Sequence, residues 1–155
     1  MKRWLLAAAL ALLLFMLPHP GTELGELHPV SLLLVELDGR EIRLETDTHM
    51  IGRGETLDAA LRNLESTTPG HLFLDTAENL VLRNSALFLL PELSQCLRPN
   101  VGVCIAEGAL RMDELPVFLK IHPPGLSLSR AVDEKSIPIL YETEGGYLLE
   151  SGKNL

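Results

Sequence analysis

Cysteine occurs only twice in this 155-residue chain, at Cys96 and Cys104. That separation is too wide for a Cys-x-x-C redox pair or a metal knuckle, and two thiols cannot build a disulfide mesh. Two readings stay open for them: one disulfide joining a helix end to the next strand, or two buried free thiols. Aromatic residues are scarce at 5%, so Leu, Val and Ile must fill the core. Bases are also in short supply. Residues 1–22 hold two of the 13 bases and none of the 21 acids, which leaves 11 bases and a formal charge of −10 for the rest. An acidic domain repels a phosphate backbone, so no nucleic-acid partner is expected.

Motifs that carry chemistry are missing too. His19, His28, His49, His71 and His122 share no i, i+4 spacing, and none stands beside a second ligand in a metal-binding pattern. There is no Gly-x-Ser-x-Gly elbow; Gly125-Leu-Ser-Leu-Ser129 shares only its outline. No glycine-rich loop ends in Lys-Ser/Thr. Asp113-Glu114 and Asp133-Glu134 are adjacent pairs of the kind that decorate a solvated face, and a sugar-cleaving carboxylate pair would have to be assembled from distant positions. The sequence therefore nominates no catalytic residue, no cofactor-binding residue and no metal ligand. A non-enzymatic protein without a cofactor is expected, with an unrecognised envelope hydrolase as an alternative.

What is present begins at the N-terminus. Lys2 and Arg3 precede fourteen uninterrupted apolar residues, Trp4 to Leu17, closed by Pro18-His19-Pro20-Gly21. A helix of that length rises about 21 Å, short of the hydrocarbon core of about 30 Å. A basic flank and a short apolar run have the shape of a secretory signal, which sends the following chain outward. No small-x-small cleavage site precedes Thr22. Residues 1–21 are thus expected to be a signal peptide or a membrane anchor, touching the bilayer through residues 4–17. Residues 22–155 are expected to form one extracytoplasmic α+β domain, tethered to the outer face of the cytoplasmic membrane or secreted.

Val30–Leu37 and Arg40–Thr46 predict two strands around Asp38-Gly39, the strongest short hairpin signal, with both turn residues expected at φ > 0. Leu57, Ala60, Leu61 and Leu64 form an apolar stripe at helical spacing, with Thr56 as N-cap. His71–Leu74 and Asn79–Leu82 read as short strands. Ser85–Leu97 reads as helical, with Pro91 either kinking it or sitting in the first turn of a shorter helix from Leu90. Val101–Ala106 predicts a central strand and Ala109–Ile121 a helix interrupted by Pro116. Ile137–Tyr141 and Tyr147–Glu150 predict a second hairpin around Glu144-Gly-Gly146. The pattern is α+β, a mixed sheet with two or three helices packed on it.

Two resemblances bear on function. Asp38-Gly-Arg-Glu-Ile-Arg-Leu44 followed by Ile51-Gly-Arg-Gly54 resembles the opening of forkhead-associated domains, which implies a phosphopeptide-binding module with Arg53 facing the phosphate. The plainer reading is that Gly52 and Gly54 permit a tight strand-to-helix turn and leave Arg53 in solvent. The second resemblance spans residues 52–115. Gly54-Glu-Thr-Leu-Asp-Ala-Ala-Leu-Arg-Asn-Leu64, His71-Leu-Phe-Leu74, Asn79-Leu-Val-Leu82, Pro91–Arg98 and Val101-Gly-Val-Cys-Ile-Ala-Glu-Gly108 look like the N-terminal domain of Ger(x)C-type proteins, the C subunits of spore germinant receptors. The lipobox cysteine usual in that family is absent. This likeness implies an exported α+β domain of a germination or sporulation apparatus, with a membrane or envelope protein as partner. It names no site residue, because the shared positions are scaffold.

Overall fold

Leucine, valine and isoleucine occupy the strand positions that point alternately to the two faces of one sheet, and both faces are covered. The computed structural model describes residues 27–134 and 136–152; the expected signal or anchor over residues 1–21 lies outside them. β1 (Leu27–Pro29) and β5 (His71–Phe73) pair in parallel as a small separate ribbon. The other seven strands form one mixed sheet: β2 (Leu32–Asp38), β3 (Glu41–Thr46), β4 (Ile51–Gly54), β6 (Asn79–Arg83), β7 (Gly102–Glu107), β8 (Ile139–Thr143) and β9 (Gly146–Glu150). Their spatial order is β4-β3-β2-β6-β7-β8-β9. The central strands β2, β6, β7 and β8 are parallel, while β3, β4 and β9 are antiparallel to their neighbours.

Four α-helices occur among the described residues: α1 (Leu57–Thr67), α2 (Leu90–Cys96), α3 (Leu115–Ile121) and α4 (Leu128–Ala131). On one face Leu33, Val35, Leu80, Leu82, Val103 and Ile105 of the sheet share a core with Ala60 and Leu64 of α1, Leu93 of α2 and Leu128 of α4. On the other face Leu32, Leu34, Val81, Cys104 and Leu140 share a smaller core with Leu115 and Leu119 of α3. The expected α+β fold with a mixed sheet is therefore present, and the stripe at Leu57–Leu64 does lie against the sheet that contains β7.

Local physics explains where the elements begin and end. Thr56 caps α1, its side chain accepting from the Ala59 amide at 3.2 Å, and Asp58 sits in the first turn. Pro91 falls in the first turn of α2, where its missing N–H costs nothing; Asn84–Leu89 before it is a 3₁₀ stretch, so the longer helix from Ser85 is corrected to the shorter alternative. The same rule shortens the helix expected over Ala109–Ile121. Pro116 starts α3 rather than interrupting it, and residues 109–114 are not helical.

The first hairpin forms as expected, but its turn is shifted by one residue. Asp38 still pairs with Glu41, so Gly39 and Arg40 make the turn, and only Gly39 has positive φ, at 67°. That is the pattern of a glycine-first turn, which needs one left-handed residue rather than two. The strand expected at His71–Leu74 is outside the main sheet, paired with β1, which carries no strong sequence signal of its own.

The route from β7 to β8 is the least regular part. After α3 the chain passes Leu126 and Ser127, where Ser127 bridges Gly102 in antiparallel fashion and the Val103 amide donates to the Leu126 carbonyl at 2.8 Å. This short piece fills the lane beneath β8, which joins β7 only from Ile105 onward. The chain thereby crosses from the face of α3 to the face of α4.

Candidate functional site

The sheet has two outer edges, and they are built differently. At β4 the helix that follows folds back tightly. A Cβ on Gly52 would meet the Ala60 carbonyl oxygen at 2.4 Å and the Leu64 Cβ at 2.5 Å, and one on Gly54 would meet the Ala60 nitrogen at 2.5 Å. Only glycine lets α1 approach this closely. The expected tight strand-to-helix turn runs through Glu55 and Thr56 alone, and the glycines permit it by admitting α1 at close range rather than by positive φ. From that position α1 covers the edge: Asn63 Oδ1 accepts the Arg53 amide at 2.9 Å, and Thr67 Oγ1 reaches the Ile51 carbonyl at 3.4 Å. An edge strand masked by side chains is poorly able to pair with another chain.

The β9 edge has no such cover among the described residues. β9 pairs with β8 alone. Beside it runs α3, and between them lies an open groove with Asp113, Glu114 and Gly145 at one end and His122, Pro123 and Leu149 at the other. Phe118 and Tyr147 form its middle. Their rings stand 5.5 Å apart, and Phe118 also stacks at 5.0 Å on His122. The Arg111 amide donates to the Tyr147 hydroxyl at 2.6 Å, and that hydroxyl can donate back to the Arg111 carbonyl at 3.1 Å. The Arg111 guanidinium lies 5.8 Å from the Tyr147 ring centre and pairs with Glu114 and Glu142 at 2.7 and 3.2 Å. These contacts fix α3 against the β8–β9 hairpin. Apolar side chains nevertheless stay in water on both sides of this edge: Val117 is 62% exposed and Ile121 67% beside the groove, and Leu148, which points to the opposite face of β9, 47%.

Arg53, the one residue singled out for phosphate, lies on the solvent side of β4 with its Nη1 3.1 Å from Asp38 Oδ2. Its Cα partner across the ladder is Arg43, whose guanidinium is held by both Glu36 and Glu45. Partial burial opposes the charge on Arg43, but the two carboxylates outweigh it and hold the guanidinium above its ordinary range. Acids match the arginines here, and the helices on both faces of the sheet depart from an all-β sandwich.

The remaining sequence candidates scatter. Both cysteines are free: Cys96 is exposed at the end of α2, whereas Cys104 is fully buried on the opposite face of the sheet. The disulfide alternative is corrected, and of the two thiols expected to be buried only one is. Burial pushes the Cys104 thiol up to about 12; partial burial, then Glu92 and Asp58, hold Cys96 above its ordinary value. His49, at φ 61°, places Nε2 2.7 Å from Asp113 Oδ1, a contact invisible in the sequence. Asp133-Glu134 lies beyond α4, with Glu134 paired to Arg130. Among the described residues no group of three or more His, Cys, Asp or Glu side chains is placed to hold a metal ion, and no helix is long and apolar enough to cross a membrane. Comparison with known protein families, curated proteins and solved structures finds no match.

Proposed function

We propose that this chain is a non-enzymatic docking domain that works outside the cytoplasm, carried there by its basic and apolar N-terminus. Its partner is a membrane or envelope protein. Its setting is the germination or sporulation apparatus that the likeness to Ger(x)C-type proteins implies. The observation that carries the docking role is the contrast between the two sheet edges. One is masked by the helix packed on it, and the other stands open beside exposed Val117, Ile121 and Leu148. Apolar side chains kept in water beside an unpaired strand are a feature of interaction surfaces.

The element order supports the setting. Within residues 52–115, α1, the short β5, β6, α2 and β7 follow one another in the order of the resemblance. Deleting the gene in its spore-forming host tests this directly. The expected result is normal vegetative growth with spores that germinate slowly or fail to respond to germinants, restored by the intact gene. Spores of unchanged germination and resistance would remove the setting.

A further inference from the structure

We infer that the β9 edge takes up an extended segment of the partner as an eighth strand, and that this segment carries apolar residues interspersed with Lys or Arg. The inference rests on the docking reading above and specifies its surface and its ligand. Three observations carry it. First, of the two edges only β9 presents main-chain groups without a described neighbour, because Asn63 and Thr67 of α1 already occupy β4. Strand addition to an open edge draws affinity from the ladder and specificity from alternate side chains. Second, the edge carries exposed apolar residues on both faces, Val117 and Ile121 of α3 on one and Leu148 on the other, which water solvates poorly and the alternating side chains of an added strand would cover.

Third, the charge around this edge is one-sided. Asp113 and Glu114 line the groove, Glu144 stands in the turn of the hairpin, and Glu150 lies on the opposite face of β9. Among the described residues the bases close by are Lys120, Arg111 and Arg130; Arg111 is already engaged by Glu114 and Glu142, and Arg130 by Glu134. A second copy of this chain would bring the same acids face to face, and like charges juxtaposed across an interface oppose it. An anionic lipid surface meets the same repulsion. A segment bearing Lys or Arg meets complementary charge, which both steers its approach and fixes its register. The hairpin turn is suited to this contact: Glu144 and Gly145 form it, and both are exposed.

Titrating the full-length chain in detergent with synthetic peptides tests the inference. The probes are an alternating Val/Lys peptide, the same peptide with Glu for Lys, and the Val/Lys peptide N-methylated at every second residue so that it cannot complete a ladder. The Val/Lys peptide is expected to bind saturably and to slow amide exchange in Gly146–Glu150. Leu148→Lys and the double variant Glu144→Lys/Glu150→Lys, all at exposed positions, should each weaken it roughly tenfold or more. Arg53→Glu at the opposite edge should leave it unchanged. Equal binding of the Glu peptide would overturn the charge argument, and equal binding of the N-methylated peptide would overturn strand addition. Concentration-dependent dimerisation abolished by Leu148→Lys would assign the edge to a second copy. Adsorption to phosphatidylglycerol vesicles lost in the same variant would assign it to lipid, and no binding of any probe would also overturn the inference. The germination setting fails separately, by spores of the deletion strain that germinate normally.

Discussion

The Tyr147 hydroxyl lies within hydrogen-bonding distance of both main-chain groups of Arg111, accepting from its amide at 2.6 Å and facing its carbonyl at 3.1 Å. A single phenol thus ties the irregular stretch before α3 to the hairpin that ends the sheet. Without that tie, the segment is held to the hairpin by the Arg111–Glu142 pair and by the packing of Met112, Leu115, Leu119 and Phe118. Tyr147→Phe keeps the stacking on Phe118 and removes the two hydrogen bonds. The expected loss is about 0.5–1.5 kcal/mol, read as a lower urea midpoint at unchanged m-value, with faster amide exchange at Arg111. An unaltered exchange rate would mean that the phenol does not hold the segment.

The close approach of α1 to β4 makes its own prediction. Gly52→Ala places a methyl where the Ala60 carbonyl and Leu64 already stand. Backbone cannot yield as a flexible side chain can, so a cost of about 1–3 kcal/mol is expected from overpacking. Gly125→Ala is the matched control, because nothing stands within 4 Å of its Cβ position. Thermal unfolding of the two variants should show a large drop for the first and little change for the second. Equal effects would contradict the packing argument.

Burial of Cys104 makes stability depend on alkaline pH. The folded thiol titrates at about 12 against an ordinary value of 9.0, so between these values the native state holds a proton that the unfolded state has lost. Stability from this group is complete below the unfolded value and falls as pH rises, with a slope approaching about 1.4 kcal/mol per pH unit. Other groups titrate in the same range, so the measurement is the difference between the wild type and Cys104→Ala, followed by urea unfolding from pH 8 to about 11. The gap between them should close or reverse with rising pH. A constant gap would contradict the burial.

The two arginines that face each other across β3 and β4 should differ in cost. Arg53 makes an exposed pair with Asp38, and its replacement by Ala should change stability by less than about 1 kcal/mol. Arg43 is more enclosed and holds Glu36 and Glu45 together. Arg43→Ala leaves those carboxylates side by side and should cost more than Arg53→Ala, with the difference growing as salt is lowered. Paired urea titrations at low and high salt measure it.

Much of this architecture is written in local signals. The 3.6-residue stripe from Leu57 to Leu64, the Asp38-Gly39 turn region and the apolar runs at Leu80 and Val103 each report a short-range preference, and each element stands where its signal falls. What the residues did not disclose depends on contacts across long separations. Pro91 and Pro116 announce helix starts, yet a proline alone does not say whether it begins a helix or breaks one. Gly52 and Gly54 look like turn residues until α1 is seen lying on them. The separation of Cys96 from Cys104 by the whole thickness of the sheet cannot be read from seven intervening residues. The open edge at β9 was equally hidden, since strand order decides which strands are outermost. The one available sequence clue is the set of apolar residues at 117, 121 and 148 that no helical or strand stripe requires.

The native cysteines supply the most direct test of an outward-facing domain. Cys96 is exposed and Cys104 is buried with its thiol raised to about 12, so a membrane-impermeant maleimide applied to intact protoplasts reports on Cys96 alone. The account predicts labelling of the wild type before lysis, none in Cys96→Ser, and no increase when the membrane is opened. Labelling that appears only after lysis would place the domain inside the cell and contradict the account.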